Sequence, residues 1–225
     1  MEMNSKVMSL YSSLAVACPD TLKENHGMFV THVGTELQKH PLMFVGRETN
    51  GQGGSFGFST YVEKDLDWLG RGQGYEYSGS PFFRVVGKVL AGHHGIPYDR
   101  NAYERMVWSN LYKIAPTNRR PATQRMHQIQ ESTCIDLLAE EILDLEPCLV
   151  VFLTDWWLNP FLDKWNNDGL ITSPSKGSSD FFDIRFAFKK NDVLIPAIAL
   201  PHPQNKSGNF REDTLIRLIS ELLNG

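Results

Sequence analysis

The chain has 225 residues, of which 41% are apolar and 21% charged, and a formal net charge of −4. Such a length suits one large domain, and the composition is that of ordinary globular proteins. No apolar run approaches the roughly 20 residues of a membrane-spanning helix, and an acidic balance argues against a protein coated in nucleic acid, where a basic stripe is expected.

Residues 7–17 and 28–39 read as helices; in the second, Phe29, Val33 and Leu37 recur at helical spacing. The run 42–45 is the first strand. Segment 51–79 is rich in glycine and in aromatics (Tyr61, Trp68, Tyr75, Tyr77). It is long for a connection, which marks a lid or binding loop, and 61–69 within it reads as a short helix. Helix 81–91 carries Phe82, Val85, Val86, Val89 and Leu90 three and four apart. Strand 106–112, loop 116–121, helix 123–143 and the fully apolar strand 148–153 follow. Residues 155–165 read as a helix interrupted or begun at Pro160. Strands 181–189 and 193–200 flank a hairpin-like turn at Lys190-Asn191-Asp192, and helix 213–223 closes the chain. Strands alternating with helices predict a single three-layer α/β/α domain over 1–225, with a central, mostly parallel sheet.

Two of these runs break abruptly into polar residues. Residues 41–45 lead into Gly46-Arg47-Glu48-Thr49-Asn50-Gly51, and 193–200 into Pro201-His202-Pro203-Gln204-Asn205. Ligands of open α/β sheets bind outside the carboxyl ends of the strands. The pattern therefore delivers a carboxylate, Glu48, and an imidazole, His202, to one sheet edge, where they can act as base and anion stabiliser. Asn110, at the end of the second strand, brings an amide with donor and acceptor edges, or else closes a turn.

Arg105, Lys113, Arg119, Arg120 and Arg125 occur with no acidic residue among them. They read as a basic face on an acidic chain, or as a solvated loop and helix start. His93-His94 reads as a helix end stopped by Gly95, since adjacent side chains do not face one another on a helix. Trp156-Trp157 are expected to pack between sheet and helix. Cys18, Cys134 and Cys148 are scattered and form no metal or disulfide pattern, so buried free thiols are expected.

Five stretches in order resemble the uracil-DNA glycosylase superfamily. Gly46-Arg47-Glu48-Thr49 is similar to its first motif after a core strand, Gly-x-(Asp/Asn/Ala)-Pro, and His202-Pro203-Gln204 to its late His-Pro-Ser motif. Ser80-Pro81-Phe82 with Gly87-Lys88-Val89-Leu90 resembles a segment of the iron–sulfur branch. So do Ser109-Asn110-Leu111-Tyr112-Lys113 with Pro116-Thr117-Asn118-Arg119-Arg120-Pro121, and Cys134, Leu138 and 145–151. The resemblance runs from Leu42 to Phe210. It departs at Glu48, Thr49 and Gln204, and at Ile114, where that branch carries a cluster cysteine. A cluster needs four thiolates and the chain has three Cys, so no metal, cluster or organic cofactor is expected.

The resemblance implies a uracil-DNA glycosylase-like fold and a base flipped out of DNA for cleavage of its N-glycosidic bond. Glu48 would stabilise the cationic sugar and activate water, with Asn50 in reserve. His202 would donate to the base oxygen. Asn110, Gly46 and Arg47 would bind the base, and Phe82 would stack on it, with Phe56, Phe58 and Phe83 as rivals. Arg119, Arg120, Gln204, Asn205 and Lys206 would contact DNA. Phe210 would be a wedge, or else begin the packing of the last helix. The substrate is uracil or a damaged or modified pyrimidine, in repair or in defence against modified phage DNA. A cytoplasmic monomer acting on single- or double-stranded DNA, with no membrane partner, is expected. A glycosylase-fold module that binds DNA or protein without catalysis is the second reading. An unrelated α/β hydrolase is the third, against which stands the lack of a Gly-x-Ser-x-Gly elbow and of a P-loop.

Overall fold

The computed structural model describes residues 1–37, 39–48, 56–57, 59–63, 80–117, 120–177, 183–204 and 209–224. Its elements are α1 (Ser5–Ala17), α2 (Asp20–Lys23), β1 (His26–Met28), β2 (His32–Val33), β3 (Leu42–Glu48), β4 (Val62–Glu63) and α3 (Pro81–His94), then β5 (Met106–Tyr112), β6 (Ile114–Pro116), α4 (Gln124–Leu145), β7 (Leu149–Leu153), α5 (Asn159–Asn167), β8 (Ser175–Lys176), β9 (Ile184–Lys190), β10 (Val193–Leu200) and α6 (Asn209–Asn224).

Eight strands form one sheet in the order β4-β2-β5-β3-β7-β10-β9-β8. The four inner strands, β5, β3, β7 and β10, run parallel. They are nearly continuous apolar runs because both of their faces are covered. Met43, Val45, Val107, Val150 and Phe152 face a core built with α1, α4 and α5. Phe44, Trp108, Val151 and Leu153 face a second core with α3 and α6. The predicted layers and mostly parallel sheet are thus present.

Several local expectations are corrected. Residues 28–39 are not a helix. Met28 and Val30 enter one core and Phe29 the other, the alternation of extended chain. His32 and Val33 then pair antiparallel with Trp108 and Val107. The four-residue spacing imitates a helix, and cross-strand pairing overrides it. Residues 62–63 are strand where a helix was expected, and 114–116 form β6 against β1. Strand β3 continues three residues past Val45, so Glu48 ends the strand. Residues 155–158 form a 3-10 turn before α5, whose first turn holds Pro160. Helix α3 ends as expected, at Gly95 in the left-handed region with φ 62°. Residues 51–55, 58 and 64–79 of the long segment lie outside the described residues.

A buried polar network ties α1, β5 and α4 together. The Lys113 ammonium lies 2.8 Å from Glu141 Oε2, and both side chains are 0% exposed. Ser109 Oγ donates to the same carboxylate at 2.9 Å and Tyr11 donates to Oε1. Lys113 is therefore not part of a basic face. Arg105 is engaged by Glu36 at 2.6 Å.

Candidate active site

Across the sheet the parallel strands stand in the chain order second, first, third, fourth. From β3 the chain crosses to β5 on one side and then returns to β7 on the other. The topological switch point therefore lies between β3 and β7, and the crevice outside their carboxyl ends is the expected ligand site. The polar ends of β3, β5, β7 and β10 all reach this edge.

Gly46 is paired with Asn110 across β3 and β5. A Cβ at Gly46 would stand 2.5 Å from Asn110 Oδ1 and 3.5 Å from Phe82 Cε2. The glycine thus makes room for the asparagine amide beside the first turn of α3. Asn110 is 2% exposed. Its Nδ2 has no hydrogen-bond partner among the described residues. A buried, unpaired donor costs about 1–3 kcal/mol, and at a strand end that borders a crevice a ligand, an ion or a water can meet it. The His202 ring stacks on Phe82 with centroids 6.2 Å apart and planes 20° apart. His202 Nδ1 accepts the Gln204 N–H at 3.1 Å. In a neutral ring this places the proton on Nε2, the donor atom. Gly46, Phe82, Asn110 and His202 are thus brought together, from β3, α3, β5 and the turn after β10.

Glu48 stands two residues further along β3, opposite Tyr112. Its Oε2 lies 2.9 Å from His127 Nε2 and accepts the Ala122 N–H at 3.3 Å. No bond to Oε1 occurs among the described residues. The His127 ring stacks on Tyr112 at 4.4 Å, and its edge meets Trp157 at 5.2 Å. Tyr112 donates to Glu131 at 2.9 Å. Burial first, and then that bond, hold its phenol well above the usual range. His127 escaped the sequence reading. Its only signal was its place one turn into the helix that follows Pro121.

Arg47 turns to β7 rather than to the base-binding group. Its guanidinium pairs with Asp155, donates to the Thr154 carbonyl at 3.3 Å, and lies over the Trp157 ring at 5.3 Å. Asp155 has φ 53°, a left-handed conformation that few residues other than glycine adopt. Thr154 Oγ1 is buried without a partner among the described residues.

The remaining candidates separate. Arg120 and Gln204 are exposed. Asn50, Phe58, Arg119, Asn205 and Lys206 lie outside the described residues, as does the side chain of Phe210 at the start of α6. Phe83 packs edge-on against Trp108 at 4.9 Å, within the core. Phe56 packs against the opposite core. The tryptophan pair also divides: Trp157 packs as expected, but Trp156 is 67% exposed.

A cavity of about 710 Å³ lies elsewhere, at the amino ends of β3 and β7, lined by Lys39, His40, His93, Cys148 and Arg185 among others. None of the side chains gathered at the switch point lines it. Among the described residues no three His, Cys, Asp or Glu side chains converge as metal ligands would. No protein-family model matches the chain, and no curated protein matches it in sequence.

Proposed function

We propose that this chain is a DNA glycosylase of the uracil-DNA glycosylase type, which binds an extruded base at the carboxyl edge of β3 and β5 and hydrolyses its N-glycosidic bond. The observation that carries the reading is the buried, unpaired Asn110 amide nitrogen, set beside Gly46, Phe82 and His202. A pyrimidine on the Phe82 ring offers a carbonyl oxygen to Asn110 Nδ2 and so satisfies the donor. His202 Nε2 donates to a base oxygen as negative charge builds on the departing base.

Glu48 and His127 serve the sugar side. Gly46 and Glu48 are two residues apart on β3, a rise of about 7 Å. A base over Gly46 on the α3 side reaches Glu48 with its sugar past the strand end, where the carboxylate meets α4. The carboxylate stabilises positive character on the sugar. Its Oε1, free of bonds to the described residues, orients and deprotonates the attacking water. His127 and the Ala122 N–H hold the carboxylate through Oε2. No cofactor takes part in these steps.

One observation favours the second reading, a module that binds DNA without cutting it. The contacts to Glu48 Oε2 also suit a carboxylate that only joins β3 to α4. Incubation with DNAs carrying uracil, mismatched, damaged and enlarged pyrimidines, followed by alkali cleavage at abasic sites, separates the two. Cleavage on at least one member supports the enzyme. Tight binding without cleavage across the panel supports the module.

A further inference from the structure

We propose that the exposed indole of Trp156 is a stacking platform for an unpaired base flanking the extruded nucleotide. The protein would therefore prefer single-stranded or locally unpaired DNA to intact duplex. The inference rests on the DNA glycosylase reading and adds to it the form of DNA that the site accepts.

A single exposed apolar side chain needs no explanation by itself. Trp156 is set apart by where it stands and by how firmly its turn is held. It stands three residues past the end of β7, in the 3-10 turn at the switch point, beside the crevice that Glu48 and Asn110 border. Among the described residues the other exposed large aromatic is Tyr98, 38% exposed against 67% for Trp156. Tyr98 follows the carboxyl end of α3, at the opposite end of the sheet.

The Trp156 turn is fixed from both sides. Asp155, with φ 53°, is clamped by Arg47. Trp157 is held between Arg47 at 5.3 Å and His127 at 5.2 Å. The backbone of Trp156 therefore has little freedom left to lose, while its ring faces solvent. A rigid apolar plane presented in this way binds with a small ordering penalty. Exposed Arg120, in the loop before α4, and exposed Arg125, in its first turn, lie on the same edge of the sheet. Cations that track a backbone, with an aromatic plane for the bases, are the parts of a single-strand site. In a duplex every base face is covered by its neighbours, so the indole has nothing to stack on until a base is unpaired.

The test is titration of labelled single-stranded oligonucleotide, and of the corresponding duplex, with wild type, Trp156→Ala and Trp156→Phe. Wild type should bind the single strand more tightly. Trp156→Ala should lose about tenfold in single-strand affinity, within the range for one base–aromatic stack, and change little on duplex. Trp156→Phe should retain most of the affinity, because a phenyl ring also stacks. Unchanged single-strand binding by Trp156→Ala overturns the proposal and leaves the indole for another partner such as a protein; equal losses on both forms overturn it by showing a DNA contact indifferent to base pairing. If wild type binds neither DNA, the glycosylase reading falls with it. If wild type binds and the variants do not differ, only the stacking role falls.

Discussion

His127 Nε2 lies 2.9 Å from Glu48 Oε2 and so joins the end of β3 to the first turns of α4 across 79 positions of sequence. The bond fixes one carboxylate oxygen and leaves the other to the crevice. A catalytic carboxylate needs this kind of support, because small misplacements at a reacting centre are expensive in rate. The Tyr112 ring beneath the imidazole and the Trp157 ring set across it at 73° fix the plane of His127 in turn.

Asn110→Leu should separate stability from function. The two side chains share a branched shape, and the leucine removes the unpaired Nδ2 donor of a residue that is 2% exposed. Relief of an unsatisfied buried group contributes about 1–3 kcal/mol, so chemical denaturation should find the variant at least as stable as wild type. Base release should be lost. A variant that is clearly destabilised and fully active would mean that the amide serves the fold. The companion Asn110→Asp should shift preference toward a base that presents a donor edge, as measured by release of two bases with opposite edges.

Glu141→Ala should be strongly destabilising, by about 3–5 kcal/mol, because it strands the fully buried Lys113 ammonium. The double variant Lys113→Met/Glu141→Leu should recover part of that loss, since it removes both charges together but leaves the buried Tyr11 and Ser109 hydroxyls without the carboxylate that accepts from them. Denaturant midpoints of the three proteins decide the matter. Equal losses for the single and the double variant would contradict the account of an ion pair that matters chiefly when broken.

Only Cys148 should react with an alkylating reagent in the native protein at mildly alkaline pH. Cys148 is exposed, whereas Cys18 and Cys134 are buried. Burial raises all three thiols, but it pushes Cys134 up to about 12, which leaves almost no thiolate there, so access decides for Cys148. Mass spectrometry should find one adduct per chain, and Cys148→Ser should abolish it. Rapid labelling of Cys134 would show that α4 opens readily.

The inner strands and the helices α3, α4 and α6 were legible because their signals are local, as continuous apolar runs or as apolar residues three and four apart. Glu48, Asn110 and His202 were legible for a related reason, since abrupt polar breaks after apolar runs fall at one sheet edge. What failed depended on distant partners. Phe29, Val33 and Leu37 fit a helix until Trp108 and Val107 pair with the segment. Lys113 looked like a surface cation because its partner, Glu141, lies 28 positions away. Arg47 looked like a base contact, and Asp155 claims it. His127 left almost no trace, since nothing local distinguishes a helix histidine that meets a strand-end carboxylate.

The central claim is that Glu48, held by His127, acts in base release at this edge. The most direct measurement is single-turnover release from the best DNA of the substrate panel by wild type, Glu48→Gln and His127→Ala, with DNA affinity measured alongside. Glu48→Gln should slow release by at least about a hundredfold, the usual range for a positioned acid or base. Its affinity should be unchanged or tighter, because one negative charge near the phosphates is gone. His127→Ala should slow release by about tenfold at unchanged affinity. Release by Glu48→Gln at the wild-type rate would contradict the account.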